Sequence, residues 1–317
     1  MNSSDLSRGD VLAAVRAYFA AQGVQECWTP ALVKSGGVDA FIDSFTVSPG
    51  GQQLHSSPEF AMKRLLAHGA RLGRAQDIYQ VATVFRVGES GPLHRPCFQL
   101  LEWYRVGWDH HRLMDEVEQL IRFTAEQVGS NADFEGITCD LLADFKRTTM
   151  REHLASLGVE PAATCEQMSA SLAAALHTRG ERSDLSAQER FHLLCSLTDR
   201  ELGRGRATFV HGYPRDQAVL AALDEGRLLP AQRFELFVCG VELANGWKEL
   251  TGAQANGERL QEENIRRVQA GLPPHPVDQD FLAAMDHLPP CAGVALGIDR
   301  LWMLLAGSNR IWAGAEN

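Results

Sequence analysis

The sequence predicts an α+β fold: a mostly antiparallel sheet flanked by helices, with a helical insertion. Three observations predict it. The stretches 77–106 and 233–249 each hold two alternating apolar–polar runs joined by turn-forming residues, the pattern of antiparallel strand pairs. Apolar residues recur at helical spacing in segments such as 8–22 and 110–128. From about 139 to 205 the pattern changes to helical pieces and polar loops, which reads as an insertion inside one domain spanning 1–317.

Composition sets limits on function. A chain of 317 residues, 45% hydrophobic, buries a full core. Forty acidic against thirty basic residues give a net charge of −10, which argues against a broad nucleic-acid footprint. The seven cysteines are scattered without a C-x-x-C pair, a reduced, cytoplasmic pattern that offers neither a disulfide framework nor a cysteine zinc site. MNSSDLSRGD lacks the apolar run of a signal peptide, and no stretch reaches the roughly 18 apolar residues of a membrane span.

In order, Arg8 to Gln22 is an amphipathic helix, with Val11, Leu12, Val15 and Phe19 on one face and Gly23 after it. VQECWTP follows as a short strand ending at Pro30, and Lys34 to Gln53 reads as a Gly- and Ser-rich loop. Ser57 as N-cap and Pro58 at the first helical position start a second helix, with Gly69 after its last turn. DIYQVATVF is a strand, GESGPLHRP a loop, and CFQLLEWYRV a returning strand. Alternation puts Phe98, Leu100, Glu102 and Tyr104 on one face and Gln99, Leu101 and Trp103 on the other, an unusual row of aromatic, carboxylate and phenol groups. His110 to Val128 is a long helix and ATFVHGYP a strand.

The second informative stretch is RFELFVCGVELANGWKE, Arg233 to Glu249. Cys239-Gly240 reads as a two-residue hairpin turn. Pairing Val238 with Val241 sets Phe237 opposite Glu242 and puts Glu235 diagonal to Glu242, roughly 7–8 Å away between Cα atoms. Two carboxylates held so close are either solvated at the surface or bridged by a cation, and Mg²⁺ with nucleotide phosphates fits the second case. Strict alternation separates Asn245 from this face, so a bulge near Asn245-Gly246 is expected. In CAGVALGIDR, Gly293 and Gly297 allow close approach of a ligand, and Asp299-Arg300 opens the last helix.

These stretches carry a resemblance. FRVGESGPLHRPCFQLLEWY resembles motif 2 of the class II aminoacyl-tRNA synthetases in its lysine form. LHSSPEF resembles that family's S-P-E segment, RFELFVCGVELANGWKE its metal-binding strand pair, and CAGVALGIDR its motif 3. The first helix, strand and Thr29-Pro30 resemble motif 1, which builds the dimer interface in the family. On the residues alone Glu59 equally suits the positive end of its helix. The resemblance covers nearly the whole chain. Without an anticodon-binding module, and with GLPPHPVDQDF and Ala295 where lysyl-tRNA synthetases carry Gly, the chain looks most like the family of elongation factor P β-lysine ligases.

The resemblance implies a class II catalytic domain that uses ATP and Mg²⁺ to activate lysine or (R)-β-lysine, then acylates a lysine of elongation factor P, with no tRNA anticodon contact. It places ATP on Arg86, His94, Phe98, Glu235, Glu242, Leu243, Gly297 and Arg300, with Arg86 and Arg300 catalytic and Glu235 and Glu242 on the metal. The amino acid would meet Ser57, Glu59, Glu102, Tyr104, Asn245, Glu249 and Ala295. A homodimer is implied by motif 1. A lysine-type ligase with another acceptor and a weakened paralogue acting as a binding protein remain open. The second is favoured by departures from the family pattern: Val87-Gly88 replaces the usual Asn-Glu with Glu89 one place late, and Arg95 and Cys97 replace Asn and Glu.

Overall fold

A computed structural model describes residues 6–37, 42–182 and 184–312. In chain order the described elements are α1 (Arg8–Ala21), β1 (Gln25–Glu26), β2 (Leu32–Val33), β3 (Thr46–Val47), β4 (Gln52–Leu54), α2 (Glu59–Arg71), β5 (Ile78–Phe85), β6 (Cys97–Val106) and α3 (His110–Val128). Then come β7 (Ala132–Phe134), β8 (Ile137–Asp140), β9 (Lys146–Thr149), α4 (Met150–Ser156), α5 (Ser169–His177), α6 (Ala187–Thr198), β10 (Gly205–Arg206) and β11 (Thr208–Tyr213). The chain closes with β12 (Ala231–Val238), β13 (Val241–Lys248), α7 (Ala253–Gln269), α8 (Gln279–Met285), β14 (Cys291–Gly297) and α9 (Ile298–Leu305).

One sheet organises the molecule, in the order β1-β5-β6-β14-β13-β12-β11-β9. Its edge pairs β1–β5 and β11–β9 are parallel, and the five pairs between them are antiparallel. The period-two alternation of each strand separates two faces. One face carries Leu101, Trp103, Phe234, Leu236, Val294 and Leu296 into the main core beneath α1, α3 and α9. The other face carries the cleft, closed at one end by α2 and α8, whose Phe60 and Phe281 rings stack at 3.9 Å. The helices α4, α5 and α6 fall within the 139–205 segment and pack their own apolar cluster against Val210 and Phe237. That segment also contributes β9 to the main sheet and β10 to a small sheet with β7 and β8.

Several local expectations need correction. The segment 34–53 is not all loop: it contributes β3 and most of β4 to a three-stranded sheet with the preceding β2, in short pieces that a Gly-rich composition conceals. Gly69 does not end α2, which runs to Arg71; the residue after the helix with positive φ is Gly73, at +66°. Pro58 is the cap residue of α2, yet the Ser57 hydroxyl still accepts a hydrogen bond from the Glu59 amide at 3.0 Å. The turn at Cys239-Gly240 has φ of +53° and +77°, the left-handed pair that a tight hairpin needs. The bulge lies at Leu243 rather than Asn245-Gly246, because Phe237 pairs with Glu242 while Leu236 pairs with Ala244. Gly246 is required for another reason: a Cβ there would meet Phe234 and Val294 at 2.7 Å.

Candidate active site

The bulge at Leu243 has a chemical consequence. One extra residue shifts the register, so Glu235, Glu242 and Asn245 come to lie on the cleft face together. The cross-strand register then continues the row: Asn245 lies opposite Ala295, Ala295 opposite Glu102, and Glu102 opposite Gln80. A second row sets Trp247 opposite Gly293 and Gly293 opposite Tyr104. Gly293 serves this row by its small size, since a Cβ would meet the Tyr104 ring at 2.3 Å and Glu249 at 2.8 Å. Gly297 has no such demand from the protein, because a Cβ there would touch only the Arg300 side chain at 3.5 Å or more.

These rows floor a cavity of about 420 Å³ lined by every residue that the sequence points to: Arg86, His94, Phe98, Glu235, Glu242, Leu243, Gly297 and Arg300, with Ser57, Glu59, Glu102, Tyr104, Asn245, Glu249 and Ala295. Its deep end is a closed charge cluster. Lys63, fully buried on α2, donates to Glu59 at 2.6 Å and to Glu249 at 2.5 Å. The Trp247 indole donates at 2.9 Å to the same Glu249 oxygen, Oε2, that Lys63 contacts. Glu102 accepts from Ser57 at 2.7 Å and from the Tyr104 hydroxyl at 2.6 Å.

Burial sets the electrostatics of this end. It pushes the Glu102 carboxyl up to about 7, helped by the Glu59 charge and opposed by its two hydroxyl donors. Burial also raises Glu249, against the pull of Lys63. Burial alone would lower the Lys63 ammonium, but the charges of Glu249 and Glu59 outweigh it and hold the group firmly protonated. Two carboxylates, Glu59 and Glu249, therefore contact one ammonium directly, and the third, Glu102, feels its charge from farther off.

The shallow end is built differently. Arg300 donates to the Glu242 carbonyl at 2.6 Å and lies 2.9 Å from the His94 ring nitrogen. Arg86 sits over the Phe98 ring at 5.0 Å, and its amide donates to Pro96, closing the motif 2 loop. Glu89 approaches His94 at 3.8 Å. Asp299, beside Arg300, is buried and ties the site together: it accepts from the Gln99 amide at 2.7 Å and from Arg8 at 2.9 Å. Arg233 donates to Glu235 at 2.5 Å, and burial followed by the nearby Glu242 charge raises Glu235 despite that partner.

Four participants escaped the sequence reading. Lys63 was visible as an i,i+4 partner of Glu59 on one helix face. Arg233 and Trp247 follow from alternation with Glu235 and Asn245 on their strands. Asp199 had no sequence signal: it sits in a 3-10 turn after α6, where burial, then Glu235 and Glu242, push its carboxyl up to about 8.

Comparison with known proteins agrees with this geometry. Residues 4–314 match the family described as tRNA synthetases class II (D, K and N). Proteins named elongation factor P–(R)-β-lysine ligase from Vibrio vulnificus, Pectobacterium carotovorum and Histophilus somni are 37%, 36% and 35% identical to this chain. Each comparison covers 96% of this chain and 92% of the relative. The chain belongs to the class II tRNA synthetase family and, within it, to the elongation factor P–(R)-β-lysine ligases.

Proposed function

We propose that this protein activates (R)-β-lysine or lysine with ATP as an aminoacyl-adenylate and transfers the acyl group to a lysine of elongation factor P. One observation carries the substrate: Glu59, Glu102 and Glu249 surround the deep end of the cleft against the single ammonium of Lys63. Two more positive charges would balance the cluster, and a diamino acid brings two ammonium groups. Glu59 and Glu102 take the amino group near the reacting carboxylate, Glu249 and Tyr104 the distal one. Asn245 and Arg86 hold the amino-acid carboxylate, with Ser57 and the Ala295 methyl shaping the floor. The names of the relatives support elongation factor P as acceptor.

The shallow end takes ATP. Adenine lies between Phe98 and Arg300, with Leu243 and Gly297 beside it, and His94 reaches the outer phosphates. Glu235 and Glu242 fit Mg²⁺: both offer hard carboxylate oxygens on one face, and burial first, then the Glu242 charge, raises the Glu235 carboxyl, a strain that a shared cation would relieve. When bound, the ion neutralises phosphate charge. In the first step the amino-acid carboxylate attacks the α-phosphorus and pyrophosphate leaves. In the second the acceptor amine attacks the acyl carbon, loses its proton, and AMP leaves with the bonding electrons. Arg86 and Arg300 stabilise the charge on the phosphate oxygens as bidentate donors.

A second copy of the chain completes the proposal. Trp28, just before Thr29-Pro30, is 88% exposed, and Leu32 and Val47 of the small sheet are also exposed. An apolar surface at the motif 1 position suits the dimer contact. Light scattering at micromolar concentration should give twice the chain mass.

The decisive experiment is amino-acid-dependent ATP–pyrophosphate exchange with (R)-β-lysine, lysine and norleucine, followed by mass measurement of elongation factor P. Exchange with either diamino acid and none with norleucine supports the reading. Equal exchange with norleucine ends it, and exchange without a mass increase overturns the acceptor.

A further inference from the structure

On the sheet face opposite the cleft, three histidines converge where no role has been assigned. His110 and His111 are the first residues of α3, and His211 projects from β11. A nitrogen of each lies within 4.8 Å of the other two. His211 pairs with Phe234, whereas the neighbouring Val210 pairs with Glu235, so alternation points His211 away from the active site. The register shift between His211 and Tyr213 places a bulge beside it, a feature that re-aims side chains. We propose that His110, His111 and His211 form a binding site for a borderline divalent transition metal of the Zn²⁺ class, with the fourth position open to solvent.

Three features support the assignment. His110 is 7% exposed, and its Nδ1 is buried without a hydrogen-bond partner. Buried polar atoms are rarely left so, and coordination gives the ring a partner. Imidazole nitrogens suit Zn²⁺, Cu²⁺ and Ni²⁺ and not Mg²⁺, which separates this site from the carboxylate pair across the sheet. Tetrahedral coordination with Zn–N near 2.0–2.1 Å needs nitrogens about 3.4 Å apart, so the rings must close by a little over 1 Å, within reach of small side-chain rotations.

The charges around the cluster are balanced. Asp109 and Glu152 face it, and Arg147 and Arg227 approach it. Arg147 is engaged by Asp115 at 2.5 Å and Arg227 by Asp224 at 2.9 Å. Burial first, then the neighbouring rings, keeps His110 and His211 uncharged near neutral pH, so their lone pairs are available. A bound ion would pin the start of α3 to β11, the strand beside the one carrying Glu235.

The test uses the full chain, stripped with chelator and titrated with Zn²⁺ and then Co²⁺ in the absence of nucleotide. Wild type should bind one equivalent, with the intense visible absorption of a nitrogen-rich four- or five-coordinate Co²⁺ site and a higher Tm with Zn²⁺. His211→Gln and His111→Gln should each weaken binding by about tenfold or more, removing one of three ligands. Both should retain ATP–pyrophosphate exchange. Circular dichroism checks folding, and if His211→Gln misfolds, the half-buried His111 decides. Wild type that binds no Zn²⁺ at about 100 μM, far above the range of built structural sites, overturns the proposal. So do variants that bind as tightly as wild type.

Discussion

The two ends of the cleft are built on different physical terms. At the deep end Lys63 and Glu249 are sealed from solvent, each charge bonded to another that the sheet or α2 holds in place. At the shallow end His94 and Glu242 side chains remain 47% and 42% exposed, and the partners come from the loop after β5 and from α9. The deep end is preorganised, so its geometry costs stability if disturbed and selects its ligand sharply. The shallow end is solvated and is completed by what binds there. Mutations should therefore separate folding from chemistry along the cleft.

The largest effect is expected at Lys63. Lys63→Met leaves Glu59 and Glu249 buried without their cation, a loss of about 3–5 kcal/mol. For a chain of this size that corresponds to about 5–8 °C in Tm, together with loss of exchange activity. Thermal denaturation followed by circular dichroism measures it. A variant that melts with wild type would break the comparison, since the deep end would then not be preorganised.

Glu242→Gln is the counterpart at the shallow end. Its side chain is half exposed and supports no core contact, so the Tm should stay within about 2 °C of wild type, as for ordinary surface changes. Exchange should fall by about 10²–10³-fold, the scale for one lost electrostatic group in a reacting site. Retained exchange would remove Glu242 from the metal assignment.

This contrast also explains what was legible in the sequence. The strand pairs around 77–106 and 231–248 were readable because alternation and turn residues are local signals, and the row Glu102–Ala295–Asn245–Glu235 follows once the strands are adjacent. The resemblance to known motifs supplied that adjacency. What stayed hidden depended on register or long-range burial. The bulge at Leu243 leaves no composition mark, because any residue fills it. The burial of Lys63 left no local sign, because its second partner, Glu249, lies far along the chain. The three-histidine cluster joins residues about a hundred positions apart, so no spacing rule exposes it.

A smaller effect sharpens the account of the deep end through pH. Without ligand, Glu102 holds its proton up to about pH 7, against an ordinary 4.5. The folded state thus binds more protons than the unfolded one between these values. The stability that this group contributes is complete below about 4.5 and is lost as pH rises through about 7. A bound ammonium favours the carboxylate and reverses the balance, so lysine should bind more tightly as pH rises from 5 to 7, by up to about tenfold per unit for one released proton. Calorimetry in two buffers of different ionisation enthalpy detects that release. Affinity independent of pH across this window would detach Glu102 from the amino group.

The smallest effect belongs to base selection at the shallow end. Gly88 stands where the resemblance expects a Glu and has φ of +81°, with nothing near its missing Cβ, so a side chain there would be strained as well as unsupported. The displaced Glu89 turns toward His94 instead. Stacking between Phe98 and Arg300 requires no base-specific hydrogen bond, and strong rejection of an analogue arises when it leaves a buried polar group unpaired. Neither Gly88 nor the partly exposed Glu89 provides such a group. ATP should therefore be preferred over GTP by about tenfold or less, far below the 10⁴–10⁵ available to a site built on a buried hydrogen bond. Glu89→Ala should change this preference by less than about threefold, the scale of a solvated surface group. Exchange rates with the two nucleotides, measured for both proteins, give the answer. Sharp exclusion of GTP that collapses in Glu89→Ala would show a base-reading carboxylate at the shallow end, and would make the two ends of the cleft alike in how they select.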